Sequence, residues 1–281
     1  MFGYIILRDI PKKAAQLDLT IYNIQGGFRG FSQVSPGAHY VSVEVDGAMH
    51  EGFWCYLEPS GVVVRIYDYK ENKFTEDTPE NKAHYSDLAL SGAMNRALIP
   101  IIQQNAKMAT KWTKLVSNIE KSNFPPALHF ETPMIPPENL SPEELSDWYL
   151  KKHKSRFEQA FLDSHAGNQG TFLAEFQFTF VRSLVRKTDN EALERWLHLI
   201  QAIYHAGERS IDDNPDLFTS LIDVIIRQLK LLPEKWFVPD SKVISGASHI
   251  IEDMIDTDID NVVKKAQEFT NFLKSVGINV D

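Results

Sequence analysis

Residues 28–43 read FRGFSQVSPGAHYVSV. A Pro-Gly pair sits between two strand-like stretches, and His39 follows directly after it. His39, Val41, Val43 and Val45 fall on one parity of the second stretch, while Tyr40, Ser42 and Glu44 fall on the other. That alternation predicts a strand with two unlike faces. A histidine in a row of valines points where they point. It is read as a packing residue with a ring hydrogen bond to the backbone, and not as a catalytic base.

The same β signature extends to both sides of this stretch. YIILR (4–8), LTIYNI (19–24), GFWCYL (52–57) and VVVRIYD (62–68) are rich in β-branched and aromatic residues, with Gly, Pro, Asp and Asn between them. Short strands in succession without helices between them predict antiparallel structure, a sandwich or a small open barrel. From Ser86 to Ser122 the spacing becomes helical: Leu88, Met94, Leu98, Ile101, Ile102, Met108, Trp112, Leu115 and Ile119 recur mostly every three or four residues. Pro100 is expected to kink or split this region. Six prolines between 125 and 142 then read as a semi-rigid linker.

Beyond the linker the start signals are helical. Ser141-Pro142-Glu143-Glu144 and Thr188-Asp189-Asn190-Glu191 read as capping boxes, and Asn214-Pro215 opens a further helix. Helices are predicted near 142–164, 171–187, 189–207, 215–231, 241–255 and 258–275. The fold class is therefore α+β: a β-rich, sandwich-like domain with a helical finish over 1–122, a proline-rich linker over 123–140, and an all-α domain over 141–281.

The bulk numbers narrow the function classes. The chain has 281 residues, of which 43% are hydrophobic and 24% charged, a soluble globular composition with room for two cores. A net charge of −9 argues against non-specific nucleic-acid binding, which needs clustered positive charge. The apolar run in MFGYIILRDI is too short for a signal peptide, and the longest apolar stretch, near Leu221–Leu232, is interrupted by Asp223, Arg227 and Lys230. The single cysteine, Cys55, allows no intrachain disulfide and no thiolate set for zinc. Cytoplasmic placement is the expectation, with the nucleus open for a eukaryotic source.

Each candidate site reads as structure. Cys55 shares a strand face with Phe53 and Leu57 and has no adjacent histidine, so it is expected to be buried and inert. Glu194, His198 and His205 fall within roughly 40° on a helix, a spacing able to hold a metal, yet Gln201 lies in the same sector and the arc opposite is apolar. Asp256, Asp258 and Asp260 imitate the start of a calcium loop, but Asn261 and Gln267 stand where its glycine and glutamate belong. Gly167-Asn168-Gln169-Gly170 is a helix–helix turn before it is a nucleic-acid clamp. The basic run Lys151, Lys152, His153, Lys154, Arg156 is a solvated face or an acidic-partner patch. Asp163-Ser164-His165 are consecutive and cannot fold back into a triad. No phosphate loop, dinucleotide fingerprint or nucleophile elbow is present, so no catalytic, cofactor or metal residues are assigned.

The ordered set of motifs is distinctive. A strand leads to Gly27-Phe28-Arg29-Gly30, then Val34, Pro36-Gly37 and His39, then Gly52-Phe53-Trp54 and a strand ending in Arg65. This resembles the first domain of the AAR2 family of spliceosome assembly factors. Trp112 and Leu115 resemble the segment that closes that domain. Glu175–Phe180 and the Glu194-Arg195-Trp196 helix resemble its second domain. The resemblance implies a non-enzymatic protein that holds Prp8, the large protein of the U5 ribonucleoprotein, during assembly and keeps the spliceosomal helicase away. It implies no cofactor, no direct nucleic acid and no membrane.

The chain ends at Val280-Asp281, so the long tail that in the family adds a strand to the partner is expected to be nearly absent. A compact prokaryotic relative with another partner fits the same residues, and so does a small-molecule or enzymatic role at a cleft between the domains. Arg182, Arg186 and Trp236 are the expected anchors for a protein partner.

Overall fold

A computed structural model describes every residue except 12, 46, 50–51, 131–135, 147–154, 187 and 281. By contacts the chain divides into two units, Met1–Pro126 with Val181–Thr188, and Ala127–Phe180 with Asp189–Asp281. The first is β-rich with a helical finish and the second is helical.

The first unit holds two five-stranded sheets. The strands are β1 (Gly3–Arg8), β2 (Ala14–Leu17), β3 (Thr20–Asn23), β4 (Gly30–Val34), β5 (Gly37–Val45), β6 (Ala48–Met49), β7 (Phe53–Leu57), β8 (Val62–Asp68), β9 (Lys73–Glu76) and β10 (Leu98–Pro100). One sheet runs β10-β4-β1-β8-β9; the other runs β3-β2-β5-β6, with β7 also on β5. Most pairs are antiparallel, but β1 pairs with β8 and β10 with β4 in parallel. A parallel neighbour needs a long crossover. Between β1 and β8 the connection carries all five strands of the second sheet together with β4 of the first, so strands rather than a helix make the crossover.

The run YIILR lacks alternation because β1 is covered on both faces. Ile5 and Leu7 join Phe31, Val34, Val41, Val43 and Leu57 in the core shared by the two sheets. Ile6 faces the other way, with Val64, Ala89, Met94 and Leu98. Ala89 belongs to α1 (Pro79–Leu90), which starts upstream of the helical region expected from Ser86: Thr78 caps it, accepting from the Asn81 N–H, and Pro79 stands at its first turn. After Pro100, α2 (Ile101–Leu115) brings Trp112 into the core. Its indole N–H donates to the Ala38 carbonyl at 2.8 Å, and its ring stacks on Trp54.

Two glycines of the opening motifs are fixed by close approach. A Cβ on Gly30 would lie 2.0 Å from the Ile5 carbonyl oxygen, and Gly30 has φ +135. One on Gly52 would lie 1.9 Å from that of Val41. Gly52 also donates its N–H to the Tyr40 hydroxyl at 2.9 Å. Only glycine lets these backbones meet.

The second unit contains α3 (Gln169–Val185), α4 (Asn190–Tyr204), α5 (Glu208–Asp213), α6 (Pro215–Leu229), α7 (Ala247–Asp256) and α8 (Asp260–Ser275); the last turns of α3 group by contacts with the first unit. Phe172, Phe176, Trp196, Phe218 and Phe269 are fully buried. The single helix expected over 142–164 is not continuous. Ser155 caps a new helix, accepting from the Glu158 N–H at 3.1 Å while Glu158 accepts from its N–H at 2.7 Å. Residues 147–154, with the lysines and histidine of the basic run, lie outside the described residues. The helices expected over 189–207 and 241–255 are shorter, because Gly207 and Gly246 adopt positive φ at their boundaries. Among the described residues no helix is long and apolar enough to cross a membrane.

Gly30→Ala and Gly52→Ala are each expected to destabilise the first unit by about 2–4 kcal/mol, from clash and backbone strain. Gly26, with nothing within 4 Å of its would-be Cβ, is the control. Chemical denaturation followed by tryptophan fluorescence should leave Gly26→Ala at the wild-type midpoint.

Candidate functional site

In the first unit His39 is 3% exposed and its two ring nitrogens are both engaged. Nε2 lies 2.7 Å from the Ser35 carbonyl oxygen, which only accepts, so Nε2 carries a hydrogen. Nδ1 lies 2.8 Å from Asp18 Oδ2, and Asp18 Oδ1 accepts the Tyr40 N–H at 3.0 Å. Burial opposes a charged ring, but the Asp18 carboxylate and the Ser35 carbonyl hold the His39 pKa above its ordinary value. The pair ties the β2–β3 turn to β5. The sequence reading of His39 as structural agrees with this geometry, although it did not anticipate Asp18. Cys55 is buried, and burial together with the nearby Asp18 charge pushes its thiol up to about 12, well away from a reactive thiolate.

The densest polar cluster lies in the second unit. Glu175 sits on α3 with no exposed surface, in the run FLAEFQFTFV. Arg195 of α4, 1% exposed, donates from Nε to Oε1 at 2.8 Å and from Nη2 to Oε2 at 3.4 Å. His129 adds its backbone N–H at 2.8 Å and Nδ1 at 3.0 Å. His165 adds Nε2 at 2.6 Å, while its Nδ1 meets the Thr171 hydroxyl at 3.0 Å. Burial alone would raise the Glu175 carboxyl, but the bonds from His165, Arg195 and the His129 backbone pull it down to about 2.

Ligand atoms of His129, His165 and Glu175 lie within 4.8 Å of one another, close enough to suggest a metal. The chemistry does not fit one. The guanidinium already neutralises the carboxylate, and a divalent cation would meet that permanent positive charge at contact distance. Each ring nitrogen facing Oε2 is placed as a donor to it. The cluster is a closed clasp that joins the segment at His129, the turn at His165 and two helices.

Sequence reasoning passed over the clasp because its members come from four separated places in the chain. The available signal was the lone acid of a helix rich in phenylalanine, with an arginine on the next helix.

The metal reading of Glu194, His198 and His205 fails on geometry. Glu194 and His198 line a shallow pocket with Arg156, Gln201 and Lys242. His205 lies past the end of α4 and packs its ring on His249, 4.9 Å away. At the 167–170 turn, Asn168 accepts the Thr171 N–H at 3.0 Å and so caps α3.

The expected anchors are surface features. Arg182 and Arg186 lie at the end of α3 and are half-buried. Trp236, also half-buried, ends a single helical turn, Glu234–Trp236, that follows Pro233. Beside it Leu232, Phe237, Phe272 and Val276 line an open groove between the ends of α6 and α8. Lys230 Nζ lies 5.8 Å from the Phe272 ring centre, and Val238, next in sequence to Phe237, is 48% exposed. Partly exposed aromatic side chains with a cation over one ring suit protein recognition.

Residues 2–127 match the family model described as the AAR2 N-terminal domain. Residues 128–281 match the one described as the AAR2 C-terminal repeat region. No curated protein matches the chain.

Glu175→Gln should cost roughly 3–5 kcal/mol, because it leaves Arg195 as an unpaired buried charge. A carboxyl lowered from 4.5 to about 2 contributes its full stabilisation above 4.5 and loses it as pH falls through 2. Thermal melts of both proteins across pH should show a constant gap near neutrality that narrows in acid. Excess zinc should leave the wild-type melting temperature unchanged.

Proposed function

The chain belongs to the AAR2 family, and on that premise we propose that it binds a Prp8-like protein and holds it for assembly into the U5 particle. As a member of that family it is a non-enzymatic assembly factor that acts through a protein partner. The observation that carries the reading is the pair of adjoining family matches, which together cover residues 2–281 in order. The geometry supports it. The buried polar groups of the Glu175 clasp and the Asp18–His39 pair are turned inward and bonded, while partly exposed aromatic residues gather around Trp236 and the groove beside it.

A standard interface of about 800 Å² per partner fits on a domain of this size. Trp236 is assigned as an anchor, with Arg182 and Arg186 as two further contacts. While bound, the chain keeps the spliceosomal helicase off the same protein.

The test is co-elution of the purified chain with recombinant Prp8, with affinity measured by calorimetry. A stoichiometric complex is expected, and Trp236→Ala should weaken it about 30-fold if it is a hot spot. Arg182→Ala and Arg186→Ala should have smaller effects. Circular dichroism melts check that each variant still folds. Absence of a complex with the wild-type chain would overturn the assignment.

A further inference from the structure

We propose that three lysines along α2, Lys107, Lys111 and Lys114, form a row that receives an acidic segment of the partner protein. The inference rests on the reading that the chain binds a Prp8-like protein, and it specifies the chemistry of one part of that contact.

The row begins as a charge asymmetry in the sequence. The chain has 38 acidic and 29 basic residues, yet no acid occurs between Asp87 and Glu120, where Arg96 and the three lysines lie. Within α2 the helix restarts at Asn105, which leaves helical geometry and accepts the Met108 N–H on its side chain at 3.2 Å. The lysines that follow are spaced four and three apart, so they fall within roughly 60° of one another at about 100° per residue. Lys107 and Lys114 are exposed and Lys111 is half-buried. Another side of the same helix carries Trp112 and Leu115 into the core, and the bond from the Trp112 indole to Ala38 fixes its orientation.

The chain does not neutralise this row. Ion pairs of the first unit use Arg8, Arg65, Lys73, Lys82 and Lys121. Among the described residues none takes Lys107, Lys111 or Lys114. Like charges one helical turn apart repel, and Lys107, two residues after Asn105, stands at the positive end of the helix dipole. Only Lys114, in the last turn, is placed where the dipole favours a cation. Helix stability therefore does not account for Lys107 and Lys111. Carboxylates laid along the row would relieve both repulsions.

The dimensions select the occupant. From Lys107 to Lys114 the helix rises about 10 Å, the reach of three or four residues of extended chain. Such a segment bearing Asp or Glu matches the three point charges. A nucleic-acid strand calls for a longer cationic track with aromatic platforms, and the only aromatic residue of α2, Trp112, is 1% exposed.

The test uses the full chain with recombinant Prp8. A triple variant, Lys107→Gln with Lys111→Gln and Lys114→Gln, keeps good helix formers and removes the charge. It is expected to bind about tenfold more weakly at low salt, with the melting curve retained. Added salt should weaken the wild-type complex and change that of the triple variant much less. Lys111→Gln alone should give part of the loss. A control that removes the same charge from other exposed positions, Lys70→Gln with Lys264→Gln and Lys274→Gln, should bind more tightly than the row variant. Wild-type affinity and salt dependence in the row variant, or an equal loss in the control, overturns the row assignment alone. Single-stranded RNA binding that is lost in the row variant while Prp8 binding is kept also overturns it. No complex with the wild-type chain overturns both this assignment and the partner reading.

Discussion

A carboxylate without access to water has to be neutralised where it stands, and that demand organises both units. Glu175, Asp18 and Asp77 are 0%, 7% and 7% exposed. None is satisfied by its own element alone. Asp77 takes the Arg8 guanidinium at 2.6 Å, linking the start of α1 to the end of β1 across 69 residues. Asp18 takes His39 and the Tyr40 N–H, fixing the β2–β3 turn to β5. Glu175 takes Arg195, His165 and His129, drawing two helices and two connecting segments together. An unpartnered carboxylate in such surroundings costs several kcal/mol, so each pairing favours one arrangement of the chain over its alternatives.

This inward use of polar chemistry separates the protein from an enzyme that would look similar in a residue inventory. A buried acid, an arginine and two histidines within bonding distance are also the components of a catalytic or metal site. Here every facing donor meets an acceptor, and the carboxylate is held at low pKa by bonds from its own chain. A general base needs an unfilled position for a substrate proton, and a metal needs ligands free of competing cations. The Glu175 clasp offers neither. What it supplies is rigidity within the second unit, where it ties two helices to two connecting segments.

Much of the architecture was legible because burial imposes a period. The alternation from His39 to Val45 gave β5 and its orientation, whereas only the packing shows that Gly30 and Gly52 stand where backbones approach too closely for any side chain. Proline and capping residues placed the starts of α4 and α6. Short elements were less legible. β2 reads AAQL and β10 reads LIP, neither rich in β-branched residues over a useful length, and both exist because a neighbouring strand is present to pair with them. The break at Ser155 was also passed over, although its Ser-x-x-Glu pattern is the same signal that marked Ser141.

The sequence by itself determined which segments are strands or helices over most of the chain, that His39 and Cys55 are structural, and which family the motif order resembles. Those properties depend on local periodicity and on the order of residues along the chain. The tertiary structure alone decided that His129 and His165 converge on Glu175, that His205 leaves the helix face of Glu194 and His198, that Asp18 is the partner of His39, and that β1 and β8 pair in parallel. Each of these depends on distances between residues far apart in sequence. Those distances are set by packing and by the pairing of buried charge, neither of which a local pattern encodes.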